Sequence, residues 1–266
     1  LNHFLATVFF QIDIILLEAI KGEGVVGLYR VAYSWLLAIN VIPAFFTQAL
    51  MATMSRQARD DRDALRLTYQ LSIKLLVFIA LPFAVAFTVL AEPLTWILGG
   101  SAYLPDGQIA LQIMIWSIPI GWMNSLTQYA LVALDLQRRV TWAFAAACAF
   151  NIVANLVFIP QFSYQAAAIT TILSELVLFA GFAVLMARGV GPIRWLPMLW
   201  KPYAAAAAMG ATIYVASPLF GTLLSVLAGS ALYISALIFL RPLNTDEASR
   251  LGPVLPARAK RLLGVT

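Results

Sequence analysis

Residues 75–91 read Leu-Leu-Val-Phe-Ile-Ala-Leu-Pro-Phe-Ala-Val-Ala-Phe-Thr-Val-Leu-Ala, a run with no charge in it. A helix crossing about 30 Å of hydrocarbon needs roughly 20 mostly apolar residues, so this run with its flanks is a transmembrane span. The same pattern recurs along the chain. Spans are predicted at roughly 1–20, 25–53, 68–97, 107–134, 139–160, 163–187, 197–217 and 218–240, about eight helices in all. The predicted fold class is therefore all-α, a polytopic transmembrane helix bundle. Composition agrees: 62% of the 266 residues are hydrophobic, 11% are charged, and the mean hydropathy is +0.88. Soluble domains average about 25% charged residues and could not hide this much apolar surface. The last two spans are separated only by a tight turn near Ser217, Pro218 and Gly221.

The charges sit at helix ends. The net charge of +5 therefore points to membrane topology and away from nucleic acid. Arg56, Arg59, Arg62 and Arg66 follow span two; Arg138 and Arg139 follow span four; Arg188, Arg194 and Lys201 follow span six; Arg241, Arg250, Arg258, Lys260 and Arg261 lie in the tail. With eight alternating spans these links share one side, and the positive-inside rule makes it cytoplasmic. Lys21 and Arg30 alone lean toward the other side. The expected arrangement is multi-pass, with a cytoplasmic C-terminus. The chain starts at Leu1 directly in an apolar segment, without the basic start or cleavage site of a signal peptide, which reads as a fragment of a longer open reading frame.

Enzyme chemistry finds little support. His3 is the only histidine and Cys148 the only cysteine, which excludes a multi-histidine zinc site, a His-based triad and an intrachain disulfide. There is no P-loop. Asp60, Asp61 and Asp63 read as a solvated charge run. No catalytic residue, metal or cofactor is expected.

The informative residues are polar groups inside spans, where charge is costly and tends to face a bundle interior or a wet cavity. Arg30, Tyr33, Ser34, Asn40, Thr47 and Gln48 fall within about 140° of arc on one long helix at 100° per residue. This stripe is either a cavity wall, with Arg30 a fixed cation for a phosphate-bearing substrate, or an interhelical hydrogen-bond seam with Arg30 snorkelling. Ser117, Gly121, Asn124 and Gln128 form a second stripe, whose amides could meet sugar hydroxyls or join helices. Asp13 lies at about the depth of Arg30, and an Asp13–Arg30 pair would neutralise both. Asp13 and Glu175 are candidates for ion coupling; a neutral carboxyl held by Ser174 or Thr171 is the other reading for Glu175. Pro43, Pro82 and Pro119 allow kinks.

The segment Ile12-Asp13-Ile14, followed by Val26-Gly27-Leu28-Tyr29-Arg30-Val31-Ala32, resembles the "D…vGxYxxA" region of polysaccharide flippases of the multidrug/oligosaccharidyl-lipid/polysaccharide exporter superfamily. Trp96-Ile97-Leu98-Gly99 with Tyr103 and Leu111 resembles the "lfGxxY…aLxil" link of that family. Asn151 to Pro160 resembles "NixlNlxlIP", and Gln161 to Glu175 follows "xxGxxGAAxATxxSE", with Ser163 and Ala166 in place of the two glycines and Thr170 in place of an alanine. Together the pieces cover roughly residues 10–190.

The resemblance implies a six-helix C-terminal lobe over 1–190, two additional transmembrane helices over 191–240 and a basic cytoplasmic tail over 241–266. It implies a non-enzymatic transporter that flips undecaprenyl-pyrophosphate-linked oligosaccharide units for surface polysaccharide or O-antigen biosynthesis. The implied partners are that lipid-linked substrate, the bilayer, a missing N-terminal lobe and a polysaccharide polymerase. On this reading Arg30 faces the pyrophosphate, while Tyr33, Asn40, Gln48, Asn124 and Gln128 line the cavity. The alternatives are a cation-coupled multidrug antiporter of the same superfamily, which predicts acidic cavity residues, and a polytopic enzyme of polysaccharide assembly, which predicts a large loop with catalytic residues.

Overall fold

A computed structural model describes residues 2–240. The basic tail expected over 241–266 lies outside the described residues. All regular structure there is helical: α1 (Asn2–Lys21), α2 (Glu23–Ile39), α3 (Val41–Asp60), α4 (Arg62–Val89), α5 (Ala91–Gly99), a 3₁₀ turn (Ser101–Tyr103), α6 (Asp106–Met114), α7 (Ser117–Ala133), α8 (Gln137–Val190), α9 (Trp195–Phe220) and α10 (Thr222–Leu240).

Five helical segments are long and apolar enough to cross a membrane, Glu23–Asp60, Arg62–Val89, Gln137–Val190, Trp195–Phe220 and Thr222–Phe239; α6 and α7, bent by 42°, make a sixth when taken together. One of these is two helices. A straight 54-residue helix would be about 80 Å long at 1.5 Å per residue, far more than a bilayer. The chain instead reverses at Ser163, whose φ of 53° and ψ of −137° are not helical. Contacts across the turn register the reversal: Asn151 bonds Ser174 at 3.0 Å, and the rings of Phe144 and Phe182 lie 5.6 Å apart. Residues 137–162 and 164–190 are thus an antiparallel pair. With α8 divided there, the segments long and apolar enough to cross a membrane become seven, and α1, 20 residues long, stands where the first of the eight predicted spans was drawn.

Span boundaries differ from the sequence reading in two places, each with a local cause. The predicted helix 25–53 extends from Glu23 to Asp60 and is interrupted at Asn40. The predicted helix 68–97 is α4, ending at Val89, plus the separate short helix α5. The interruption at Asn40 lies just ahead of Pro43, and the α6–α7 bend just ahead of Pro119. A proline removes one backbone donor and crowds the carbonyl four residues back, Ile39 and Ile115 here. Pro82 sits inside α4 without such a break. Asp61 is no idle member of a charge run: its carboxylate accepts from the backbone amides of Asp63 at 3.1 Å and Ala64 at 2.9 Å and so caps α4.

The chain divides into two compact units, 1–193 and 194 onward. In the first, α1 and α7 pack on α8, α4 and α3 pack on α7, and α2 packs on α6. At one end Arg62 donates to the Gly189 carbonyl at 3.2 Å and Arg66 to that of Pro192, bringing two basic links together. At the other end Lys21 donates to the Pro160 carbonyl at 2.8 Å. In the second unit α9 and α10 pack as a pair around Gly221, which takes φ +78° at the turn.

Candidate functional site

In the first unit α1, α2, α3, α7 and α8 line an open cavity of about 460 Å³, with Gln11, Leu37, Asn40 and Ala44 exposed at its mouth. Gln11 enters it from α1. Tyr33, Leu36, Leu37 and Asn40 enter at helical spacing from α2 and its end, and Pro43 and Ala44 from the start of α3. Ser117, Ile118, Gly121, Trp122 and Ser125 come from α7, and Thr171 and Glu175 from the second half of α8. Half of this lining is polar. It contains one carboxyl group, Glu175, and no Lys or Arg.

Glu175 is buried, with 3% of its surface exposed. The Asn124 amide donates to its Oε2 at 2.6 Å and to its backbone carbonyl at 2.8 Å. A Cβ added at Gly121 would lie 3.3 Å from its Oε1, so the glycine makes room for the carboxyl itself to pack against α7. Behind Glu175, Ser174 accepts from Asn151, whose Oδ1 in turn accepts from Asn155 at 2.8 Å. Trp122 donates its indole N–H to Asn40 Oδ1 at 2.9 Å, which fixes one aromatic wall of the cavity.

Asp13 forms a second buried polar centre next to this one. Its Oδ2 accepts from the Tyr29 hydroxyl at 2.6 Å and from the Thr171 hydroxyl at 3.1 Å, while Oδ1 accepts from the Ile14 amide at 2.9 Å. The sequence reading paired Asp13 with Arg30. That pair is not made, because Arg30 lies on the outside of the bundle, 62% exposed, and reaches Glu18 at 3.4 Å instead. Equal depth along two helices does not put two side chains on facing sides. Asp13 finds neutral hydroxyl donors, and Thr171 touches both Asp13 and the cavity.

Of the other predicted residues, Tyr33, Asn40 and Glu175 line the cavity, whereas Arg30, Gln48, Asn124 and Gln128 do not. Arg30 sits one turn before Tyr33, beyond the lining, and Gln48 is exposed one turn past Ala44. At 100° per residue the lining of α2 and α3 covers an arc from about −80° to +40° around Tyr33, and Arg30 and Gln48 both fall at about +60°, just past its edge. On α7 the cavity face, at 117, 118, 121, 122 and 125, is turned by roughly 60° at 100° per residue from the centre of the 117–121–124–128 stripe. The centre of the stripe faces α8, which is why Asn124 meets Glu175. The sequence reading does not single out Trp122 and Ser125, names Thr171 only as a partner for Glu175, and does not place Gln11 among its cavity residues. Ser125 had a signal, continuing the spacing of four from Ser117 and Gly121; Trp122 had none.

Several residues of the family-like segments meet in space. A Cβ at Gly27 would lie 3.5 Å from the Tyr103 ring, and one at Gly99 only 2.7 Å from it, so both glycines make room for that tyrosine. Among the described residues no group of three His, Cys, Asp or Glu side chains could hold a metal ion.

Comparison with known proteins gives two findings. Residues 1–106 match the family described as "Polysaccharide biosynthesis protein". Among solved structures, lipid II flippase MurJ in its inward closed conformation is similar, with a TM-score of 0.72 at 16% identity over 90% of this chain and 52% of that one. No curated protein matches in sequence. The chain thus spans about half the length of the flippase whose fold it shares. Residues 1–106, two-fifths of the chain, are thus similar in sequence to the polysaccharide biosynthesis protein family, and over nine-tenths of the chain the fold is similar to part of lipid II flippase MurJ.

Proposed function

We propose that the chain is the C-terminal portion of a transporter, not an enzyme, that flips undecaprenyl-pyrophosphate-linked oligosaccharide units across the cytoplasmic membrane for surface polysaccharide or O-antigen assembly. The observation that carries this reading is an open cavity with polar side chains set among apolar walls, in a lobe whose fold is similar to part of a flippase. A hydroxyl-rich head group cannot cross about 30 Å of hydrocarbon unaided. Protein-sheltered polar groups replace its hydration while the lipid tail stays in the bilayer. Rocking of this lobe, residues 1–190, against a second, N-terminal lobe would expose the site to each side in turn. Residues 191–240 are two additional spans, the C-terminus is cytoplasmic, and a polysaccharide polymerase is the next consumer of the substrate. Arg30 is the candidate cation for the pyrophosphate, acting from beyond the cavity lining. Asp13 and Glu175 are the candidate coupling groups.

A second reading, a cation-coupled multidrug antiporter of the same superfamily, is favoured by one observation: a carboxyl lines the cavity and Arg30 does not. The full-length protein, expressed in a strain lacking its polysaccharide flippase, separates the two. Restored surface polysaccharide with unchanged tolerance of organic cations supports the flippase. Raised tolerance without restored polysaccharide overturns it.

A further inference from the structure

We propose that the cavity is a subsite for one sugar ring bearing a free, protonated amino group, from which the pyrophosphate is excluded. This rests on the flippase reading and specifies the part of the glycan the lobe receives.

The acceptor is built into the lobe. Glu175 is 3% exposed and lines the cavity, Asn124 holds its Oε2 at 2.6 Å, and Oε1 lies against Gly121, where a Cβ would approach to 3.3 Å. A carboxylate only accepts hydrogen bonds, and a negative charge in a low dielectric gains most from a partner that is both a donor and a cation. A bound ammonium is both. A phosphate in the same place would meet a like charge with no Lys or Arg in the lining to offset it.

The rest of the lining suits a hydroxylated ring. Gln11, Asn40, Ser125 and Thr171 offer amide and hydroxyl groups around Glu175. Trp122 and Tyr33 give flat walls, and an aromatic face also attracts an ammonium. The volume of about 460 Å³ is at the small end of ligand cavities, which run from about 300 to 1,000 Å³. It suits a single ring, not an oligosaccharide with its pyrophosphate. Arg30 lies one helical turn before Tyr33, so a ring in the cavity can trail its phosphate toward the arginine. N-acetylation would remove the charge and add bulk beside Gly121.

The test is calorimetric titration of the purified full-length protein in nanodiscs with glucosamine, N-acetylglucosamine, glucose, inorganic pyrophosphate and tetraethylammonium at pH 7. Glucosamine should bind about tenfold more tightly than N-acetylglucosamine or glucose, as a charge-assisted contact would give. Pyrophosphate and tetraethylammonium should not displace it. Glu175→Gln, with an unchanged unfolding temperature, should reduce glucosamine affinity to that of glucose. Gly121→Ala, which narrows the space and keeps the charge, should weaken glucosamine independently and serves if Glu175→Gln does not fold. Equal binding of N-acetylglucosamine, displacement by pyrophosphate or tetraethylammonium, or undiminished glucosamine binding in a folded variant overturns the proposal. The polysaccharide rescue reads out separately: failed rescue sinks the flippase, whereas rescue with charge-independent sugar binding sinks only the subsite.

Discussion

The side-chain amide of Asn124 on α7 donates to both the Oε2 and the backbone carbonyl of Glu175 on α8, at 2.6 and 2.8 Å. One asparagine thereby joins two spans and aims the only carboxyl in the cavity. Asn124→Ala leaves a buried carboxyl without this donor and should destabilise the protein by about 1–3 kcal/mol. A fall in unfolding temperature in detergent checks it. An unchanged temperature would mean that the bond contributes nothing net.

Tyr29 and Thr171 share Asp13 Oδ2, so the first span is tied to α2 and α8 through one carboxyl oxygen. Tyr29→Phe removes the shorter of the two bonds at nearly constant volume. The expected cost is again about 1–3 kcal/mol. Tyr29→Phe combined with Asp13→Asn should cost clearly less than the sum of the single changes, because the two residues make one contact. Full additivity in unfolding experiments would show that they act separately.

Ser163 holds a positive φ that L side chains rarely adopt, at the reversal of α8. Strain of this kind costs of order 1–3 kcal/mol, and glycine removes it at a smaller entropic cost. Ser163→Gly should raise stability by about 1 kcal/mol without altering transport. A destabilised variant would show that the serine side chain contributes more than its backbone costs.

Arg30 is exposed, with Glu18 as its ion-pair partner. Exposed pairs contribute about 0–1 kcal/mol, so Arg30→Ala should leave membrane abundance unchanged. If Arg30 meets the pyrophosphate, export of surface polysaccharide should be abolished. Normal export would refute the role, and normal export in Arg30→Lys would show that charge without the guanidinium geometry suffices.

The apolar runs determined the helices. A stretch such as 75–91 has no alternative to hydrocarbon or a fully apolar interior, so its class follows from transfer free energy without knowledge of its neighbours. The same reasoning singled out Asp13 and Glu175, because a carboxyl in such a run must be sheltered, and both are buried. Phase and partnership were decided by the tertiary structure. The bend before Pro119 and the packing of α7 on α8 set how each polar stripe meets its neighbours. Asn124 therefore turned to a glutamate, Arg30 to Glu18, and Trp122 and Gln11 to the cavity. A single chain carries the period of each helix but not the angle at which the next helix meets it. That angle is fixed by side-chain packing between segments far apart in sequence.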